Sequence, residues 1–220
     1  MNIARVWAMP SSDTFNCQPI GELVRRYLRQ SKISVDPFAR NKRWATYTND
    51  LNPETEAEYH MDALDFLLML LEKKIKVDLV IFDPPYSIAQ VKECYEGIGL
   101  KVMQSDAYRT AAWSKEREVI NEILDMNGVV VSCGWNSIGM GKFDYQIEDL
   151  LLVCHGAAHN DTITIVERKI SHQASMFESK AQGWLTKRAG DEGDSPASEP
   201  LSTLEVSPVE QALSQPALRA

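Results

Sequence analysis

Val77-Asp-Leu-Val-Ile-Phe-Asp-Pro-Pro-Tyr86 constrains the fold more than any other stretch of this chain. Residues 77–82 form a short apolar run rich in β-branched and aromatic side chains, the length of a strand buried on both faces of a parallel sheet. Two prolines follow. They cannot continue a hydrogen-bonded ladder, so the strand must stop and the chain must turn after Asp83. A carboxylate, a proline-fixed carbonyl and the ring of Tyr86 are thereby held at the carboxyl end of a strand, where open α/β sheets bind ligands.

That group of side chains suits methylation of an exocyclic amine. The lone pair of such a nitrogen is delocalised into its ring, which makes it a poor nucleophile. Two acceptors aimed at its hydrogens favour a pyramidal nitrogen, and the Asp83 carboxylate and the Pro84 carbonyl are the candidates. Tyr86 is placed to stack on the flat base, as aromatic side chains do on unpaired bases. The plainer alternative is a strand end with a proline turn and a solvated acid.

With 220 residues the chain has the length of one domain and a margin, and 44% hydrophobic residues are ample for a core. No apolar run has the length of a membrane span and the first residues lack a signal-peptide pattern, so a soluble, cytoplasmic protein is expected. Cys17, Cys94, Cys133 and Cys154 form no C-x-x-C pair, which points to reduced structural thiols rather than disulfides or a metal site. The formal net charge is -8, against the usual need for cations on phosphate. Any basic face must be local, with Arg25-Arg26-Tyr-Leu-Arg29, Arg40-Asn-Lys42-Arg43 and Arg168-Lys169 as candidates.

Taken in order, residues 1–16 read as an irregular, partly buried lead-in. Residues 19–28 read as an amphipathic helix with Ile20, Leu23, Val24, Tyr27 and Leu28 on its apolar stripe. Short strands are expected at 33–36 and 44–48, joined across 38–44 by a loop or single turn, because that gap is too short for a helical crossover. A buried helix spans 62–74. After the strand at 77–82, residues 87–112 read as loops and short helix near the mouth of a site. A helix from Ser114 to Asp125 stops at Asn127-Gly128. Gly128–Trp135 is a buried strand, 136–142 a Gly-rich loop, and Ile147–His155 with Thr162–Lys169 a strand pair that closes the sheet antiparallel at its edge. From 187 to 220 the composition shifts to Gly, Ser, Pro, Glu and Ala, which predicts a disordered acidic tail beyond a domain of residues 1–186.

The D-P-P-Y tetrapeptide resembles the catalytic motif of amino-methyltransferases that use S-adenosylmethionine. Residues 7–170 resemble the small adenine-N6 DNA methyltransferases of phages and prophages. The resemblance implies a Rossmann-like, three-layer α/β fold with a mostly parallel seven-stranded sheet and one antiparallel strand. It implies catalytic roles for Asp83, Pro84, Pro85 and Tyr86. Asp36-Pro37-Phe38 resembles the start of the family's D-P-F-x-G-x-G cofactor element; Ala39 and Arg40 follow, both glycines are absent, and the wall there differs. Asp50 corresponds to the acid for the ribose hydroxyls, and Asp62 to the acid that meets the cofactor's adenine amino group. Met9, Pro10 and Phe15 resemble the N-terminal element over the methionine end. The 132–142 stretch resembles the loop lining the target pocket, with Trp135 and Asn136 as substrate contacts beside Tyr86.

The partners so implied are S-adenosylmethionine and single- or double-stranded DNA, with no membrane and with a second copy of the chain left open. No stretch is long enough for a separate target-recognition domain, so sequence selectivity is low or comes from 87–112 or another subunit. Methylation of RNA or another amine, and an inactive methyltransferase-like binding subunit, remain alternatives. His155 and His159 are four apart, but Gly156 and flanking strands argue against the helix a metal pair would need, and Gly139-Met-Gly141-Lys142 lacks phosphate-loop spacing.

Overall fold

A computed structural model describes residues 1–101, 113–141, 144–156 and 159–171. The expected tail lies outside these residues, as do positions 102–112 of the expected insertion. Seven strands form one sheet: β1 Asn2–Trp7, β2 Ser34–Asp36, β3 Tyr47–Thr48, β4 Val77–Phe82, β5 Leu124–Gly134, β6 Tyr145–Cys154 and β7 Thr162–Lys169. Their order is β1-β6-β7-β5-β4-β2-β3. Every pairing is parallel except those of β7, which runs antiparallel to both β5 and β6. The fold is the Rossmann-like α/β arrangement expected, with one correction. The antiparallel strand, β7, is not at the edge, because it is inserted between β6 and β5.

β1 also corrects the irregular lead-in expected for residues 1–16. Its residues are almost all exposed, so it is held by its ladder to β6 rather than by burial. Asn2 donates to Asp149 Oδ1 at 2.9 Å, and Arg26 and Tyr27 meet the other Asp149 oxygen. Hydrogen bonds from Tyr27 and Asn2 and the Arg26 charge outweigh partial burial, and hold the Asp149 carboxyl below its ordinary range.

Among the described residues four α-helices flank the sheet: α1 Gln18–Leu28, α2 Ala63–Glu72, α3 Ile88–Gly97 and α4 Ser114–Ile123. α1 carries Pro19 in its first turn and buries Ile20, Val24 and Tyr27, a helical repeat, against Leu79, Ile81, Val131 and Val153. Alternation along β4 sends Val80 and Phe82 to the opposite face, where the Arg117 guanidinium of α4 lies over the Phe82 ring. α2 packs against α4, burying Phe66, Leu67 and Leu70, which completes three layers. Gly21 is needed in α1: a Cβ there would stand 2.4 Å from the Phe15 carbonyl oxygen, in the 3₁₀ turn Thr14–Asn16 that precedes the helix.

The β2–β3 connection crosses without a helix, as the short gap predicts. The helix expected over 114–125 ends sooner, at Ile123, and passes directly into β5. Asn127-Gly128 is therefore no helix stop. Both residues lie inside the strand, with Asn127 at φ 65°, beside a register shift in the β4–β5 ladder. No Ser114 side chain caps this helix; Trp113 stands at its N-cap at φ 49°. Its last turn is closed by Lys169, 1% exposed, whose Nζ donates to the carbonyls of Asn121 at 2.6 Å and Leu124 at 3.1 Å. Arg168-Lys169 is thus not a basic face: Arg168 pairs with Glu148 and Lys169 is interior. No described helix is long and apolar enough to cross a membrane.

Candidate active site

The carboxyl ends of β2, β3, β4 and β5 deliver Asp36, Asp50, the Asp83–Tyr86 turn and Trp135 to one end of the sheet. Asp83 leaves β4 half-buried, and its Oδ1 accepts a hydrogen bond from the Tyr86 hydroxyl. Thr14 Oγ1 lies 3.4 Å from the same hydroxyl. Burial pushes the Asp83 carboxyl up to about 6, while the bonds from Tyr86 and Thr14 pull it back. Burial and the Asp83 charge together push the Tyr86 phenol far above its ordinary value, so it is a fixed donor.

The turn is braced from two sides. Gln90 Oε1, in the first turn of α3, accepts from the Tyr86 backbone N–H at 2.7 Å. The Trp113 indole N–H donates to the Pro85 carbonyl at 3.2 Å. The Tyr86 ring meets Trp135 edge-on, with centroids 5.7 Å apart. This pair stands between two clefts. The larger, about 730 Å³ of open space, is lined by Pro10, Ser12, Thr14, Tyr86, Trp135 and His155. The smaller, about 480 Å³, lies toward Pro84, Trp113 and Arg117 and includes Asn136. Trp135 is 41% exposed, so core packing does not account for it.

The candidate cofactor residues divide. Asp36, 1% exposed, accepts from the Phe38 backbone N–H at 3.0 Å; burial and then the charges of Asp83, Asp50 and Asp13 raise its carboxyl well above the usual range. Pro37 is buried and its carbonyl accepts from Asn49 Nδ2. The Phe38 ring is seated against Phe82 and Trp113. Asp50 takes backbone N–H groups from Asn52 and Arg40. Asp62 caps α2 through Leu64 N and accepts the Tyr95 hydroxyl through its other oxygen. Both of its oxygens are therefore engaged in holding helices, a role the resemblance does not imply. Phe15 is core, stacked on Trp44, and Met9 is 81% exposed. Of all these, only Pro10 lines either cleft.

Arg40 stands where the resembled element has its first glycine, and its φ is 51°. The turn keeps the left-handed shape that glycine adopts freely, at a cost of about 1 kcal/mol for a side-chain-bearing residue. The guanidinium is tied to the Ser12 carbonyl. His155 bridges the Ala8 carbonyl at 2.9 Å and Thr162 Oγ1 at 3.0 Å, which ties the β6–β7 connection to the N-terminal loop. Thr14, Gln90, Trp113 and Ser132 are site residues that the sequence alone does not single out. Only Ser132, a hydroxyl inside the apolar run 129–133, carried a local signal.

Tyr86→Phe removes the donor that lowers the Asp83 carboxyl. If the ionised carboxylate is the active form, activity rises with pH through about 6 in the wild type, and in the variant that limb moves to higher pH. A pH profile of kcat/KM measures both. An unmoved limb would mean that another group titrates.

No family model matches the chain, and no curated protein matches it. Solved structures similar to it include a putative SAM-dependent methyltransferase from Streptococcus mutans, at 15% identity and TM-score 0.46, covering 71% of this chain and 49% of that one. This chain therefore spans about half the length of that protein. A putative methyltransferase, yhhF, from Escherichia coli gives 11% and 0.45, covering 74% and 92%. The N-methyltransferase NodS from Bradyrhizobium japonicum, in complex with S-adenosyl-l-homocysteine, gives 9% and 0.46, covering 73% and 90%. At such identities and TM-scores none of them transfers a substrate to this chain.

Proposed function

We propose that the chain transfers a methyl group from S-adenosylmethionine to the exocyclic N6 amine of adenine in DNA. The observation that carries this is Asp83, a half-buried carboxylate at the end of a central strand, bonded to Tyr86 at the wall of an aromatic-flanked cleft. The residues at the neighbouring strand ends fit an adenosyl donor. Asp50 keeps acceptor capacity beyond its two backbone bonds, Asp36 fixes the turn after β2, and Arg40 preserves the left-handed turn where glycine is missing. Asp50 would hold the ribose hydroxyls and Pro10 would border the methionine end. The bound donor supplies an electrophilic methyl on a positively charged sulfur, which an amine displaces directly.

The chain's own groups then do three things. The Asp83 carboxylate and the Pro84 carbonyl accept the two amine hydrogens and turn the nitrogen lone pair outward. Preorganised acceptors of this kind act most strongly where water is excluded. Tyr86 yields its place on Asp83 as the amine arrives, and Thr14 Oγ1, already 3.4 Å away, receives its hydroxyl. After transfer the nitrogen sheds one proton, and a carboxyl at about 6 can hold it before passing it to solvent. The Tyr86 ring then stacks on a base swung out of its stack, with Trp135 edge-on beside it. Leaving a duplex costs a few kcal/mol and a single strand less, which favours unpaired substrates for a chain of net charge -8.

The test offers DNA, RNA and protein side by side with methyl-labelled S-adenosylmethionine. Label in DNA, recovered as N6-methyladenine, is the expected outcome. Label confined to RNA or protein would move the activity to that amine. No label, together with no heat on titrating the donor, would leave a binding subunit.

A further inference from the structure

The smaller cleft shares Tyr86 and Trp135 with the larger one and lies toward Pro84, Trp113 and Arg117. Its floor is one row across three strands: Phe82 pairs with Ser132, and Ser132 with Ile165. Ser132 is 8% exposed, and its Oγ has no hydrogen-bond partner among the described residues. A lone hydroxyl between Phe and Ile is unfavourable unless something accepts its hydrogen. Alanine would sit there without that cost. The cleft supplies a reason to keep the serine.

Its lining offers apolar faces to a ring. Pro84, Pro85 and the Trp113 indole, fixed by its bond to Pro85, all line it. The Arg117 guanidinium, 5.7 Å from the Phe82 ring centroid, brings a second donor, with Glu116 and Glu167 near enough to offset its charge. Gly139 also lines the cleft; its φ is 55° and a Cβ would stand 2.1 Å from Glu167 Oε2, so no side chain fits there. An occupant that pairs with both donors presents acceptors to a hydroxyl and a guanidinium. Guanine does so through O6 and N7.

We propose that this cleft binds the guanine base that neighbours the target in the same strand, with Ser132 and Arg117 donating to its O6/N7 edge. This rests on nucleic acid being the substrate, and it gives a chain without a separate recognition domain a built-in preference for one flanking base.

Calorimetric titration of the full chain with free guanosine, 7-deazaguanosine, adenosine and cytidine tests it without any methyl transfer. Guanosine binds best, and loss of N7 weakens it. Ser132→Ala lowers guanosine affinity about fivefold to tenfold while raising the thermal midpoint, because an unpartnered hydroxyl is removed. A serine with a purely structural role would lower the midpoint and leave affinity unchanged. Equal guanosine affinity in wild type and Ser132→Ala, no guanosine binding, or competition by S-adenosylmethionine would each overturn the proposal. If DNA is methylated but Ser132→Ala binds guanosine normally, only this cleft assignment fails. If Ser132→Ala weakens guanosine but label never enters nucleic acid, the methyl-transfer assignment fails instead.

Discussion

Replacing Asp83 with alanine is expected to lower methyl transfer by at least a factor of roughly a hundred to a thousand, the cost of losing one preorganised charged group at a reacting centre, while S-adenosylmethionine still binds. The separation of the two effects follows from position. Asp83 directly follows β4 and bonds Tyr86, whereas Asp36 ends β2 and Asp50 follows β3. Stability moves the other way from activity. A folded-state carboxyl raised from 3.8 to about 6 is disfavoured as an anion, so its presence lowers stability above pH 6. Asp83→Ala therefore melts no lower than wild type at pH 7.5. That gain shrinks as pH falls through about 6 and vanishes below about 4, where the group is neutral folded or unfolded. Single-turnover rates, donor titration and melting curves at two pH values check each part. A variant that turns over at wild-type rate would remove Asp83 from the chemistry.

The second large effect is on the fold. Lys169→Met is expected to cost about 3 kcal/mol, because a buried ammonium that bonds two carbonyls is lost and both carbonyls stay interior. For a domain of this size the thermal midpoint should fall by about 6–12 °C. The methionine nearly conserves volume, so the loss reports the hydrogen bonds rather than a cavity. Lys169 closes the end of α4 where it runs into β5 without a loop. The variant should therefore loosen that junction first, seen as faster amide exchange over 120–128. A melting temperature at or above wild type would mean that the ammonium is a burden rather than a brace.

The sequence made the middle of the fold plain and its margins obscure. β4 and the D-P-P-Y turn are legible because burial on both faces and two prolines are local facts. The period of α1 and the apolar run of β5 are local as well. β1 was hidden for the opposite reason: Asn2–Trp7 is exposed almost throughout and exists as a strand only through pairing with β6, nearly 150 residues away. The interior place of β7 has the same source, since strand order is set by which ladders close and not by any strand's own composition. Asn127-Gly128 misleads because the dipeptide that usually marks a turn here serves a bulge.

In the candidate site, Asp83, Tyr86 and Trp135 stand out in the sequence, and the structure places Trp135 half-exposed beside Tyr86 rather than in the core. Thr14 and Trp113 reach the same turn from distant segments, through contacts that no local pattern encodes. Tyr86 shows the limit of a motif most clearly. The tetrapeptide supplies the ring for stacking, but only the fold reveals that its hydroxyl turns back onto Asp83.

The most direct measurement is a map of modified bases in the genome of a methylation-free host that expresses this chain. N6-methyladenine should appear with the wild type and vanish with Asp83→Ala at equal protein level. Adenines left unmodified under wild-type expression, or modified equally by both, would contradict the assignment of Asp83 as the group that receives the amine.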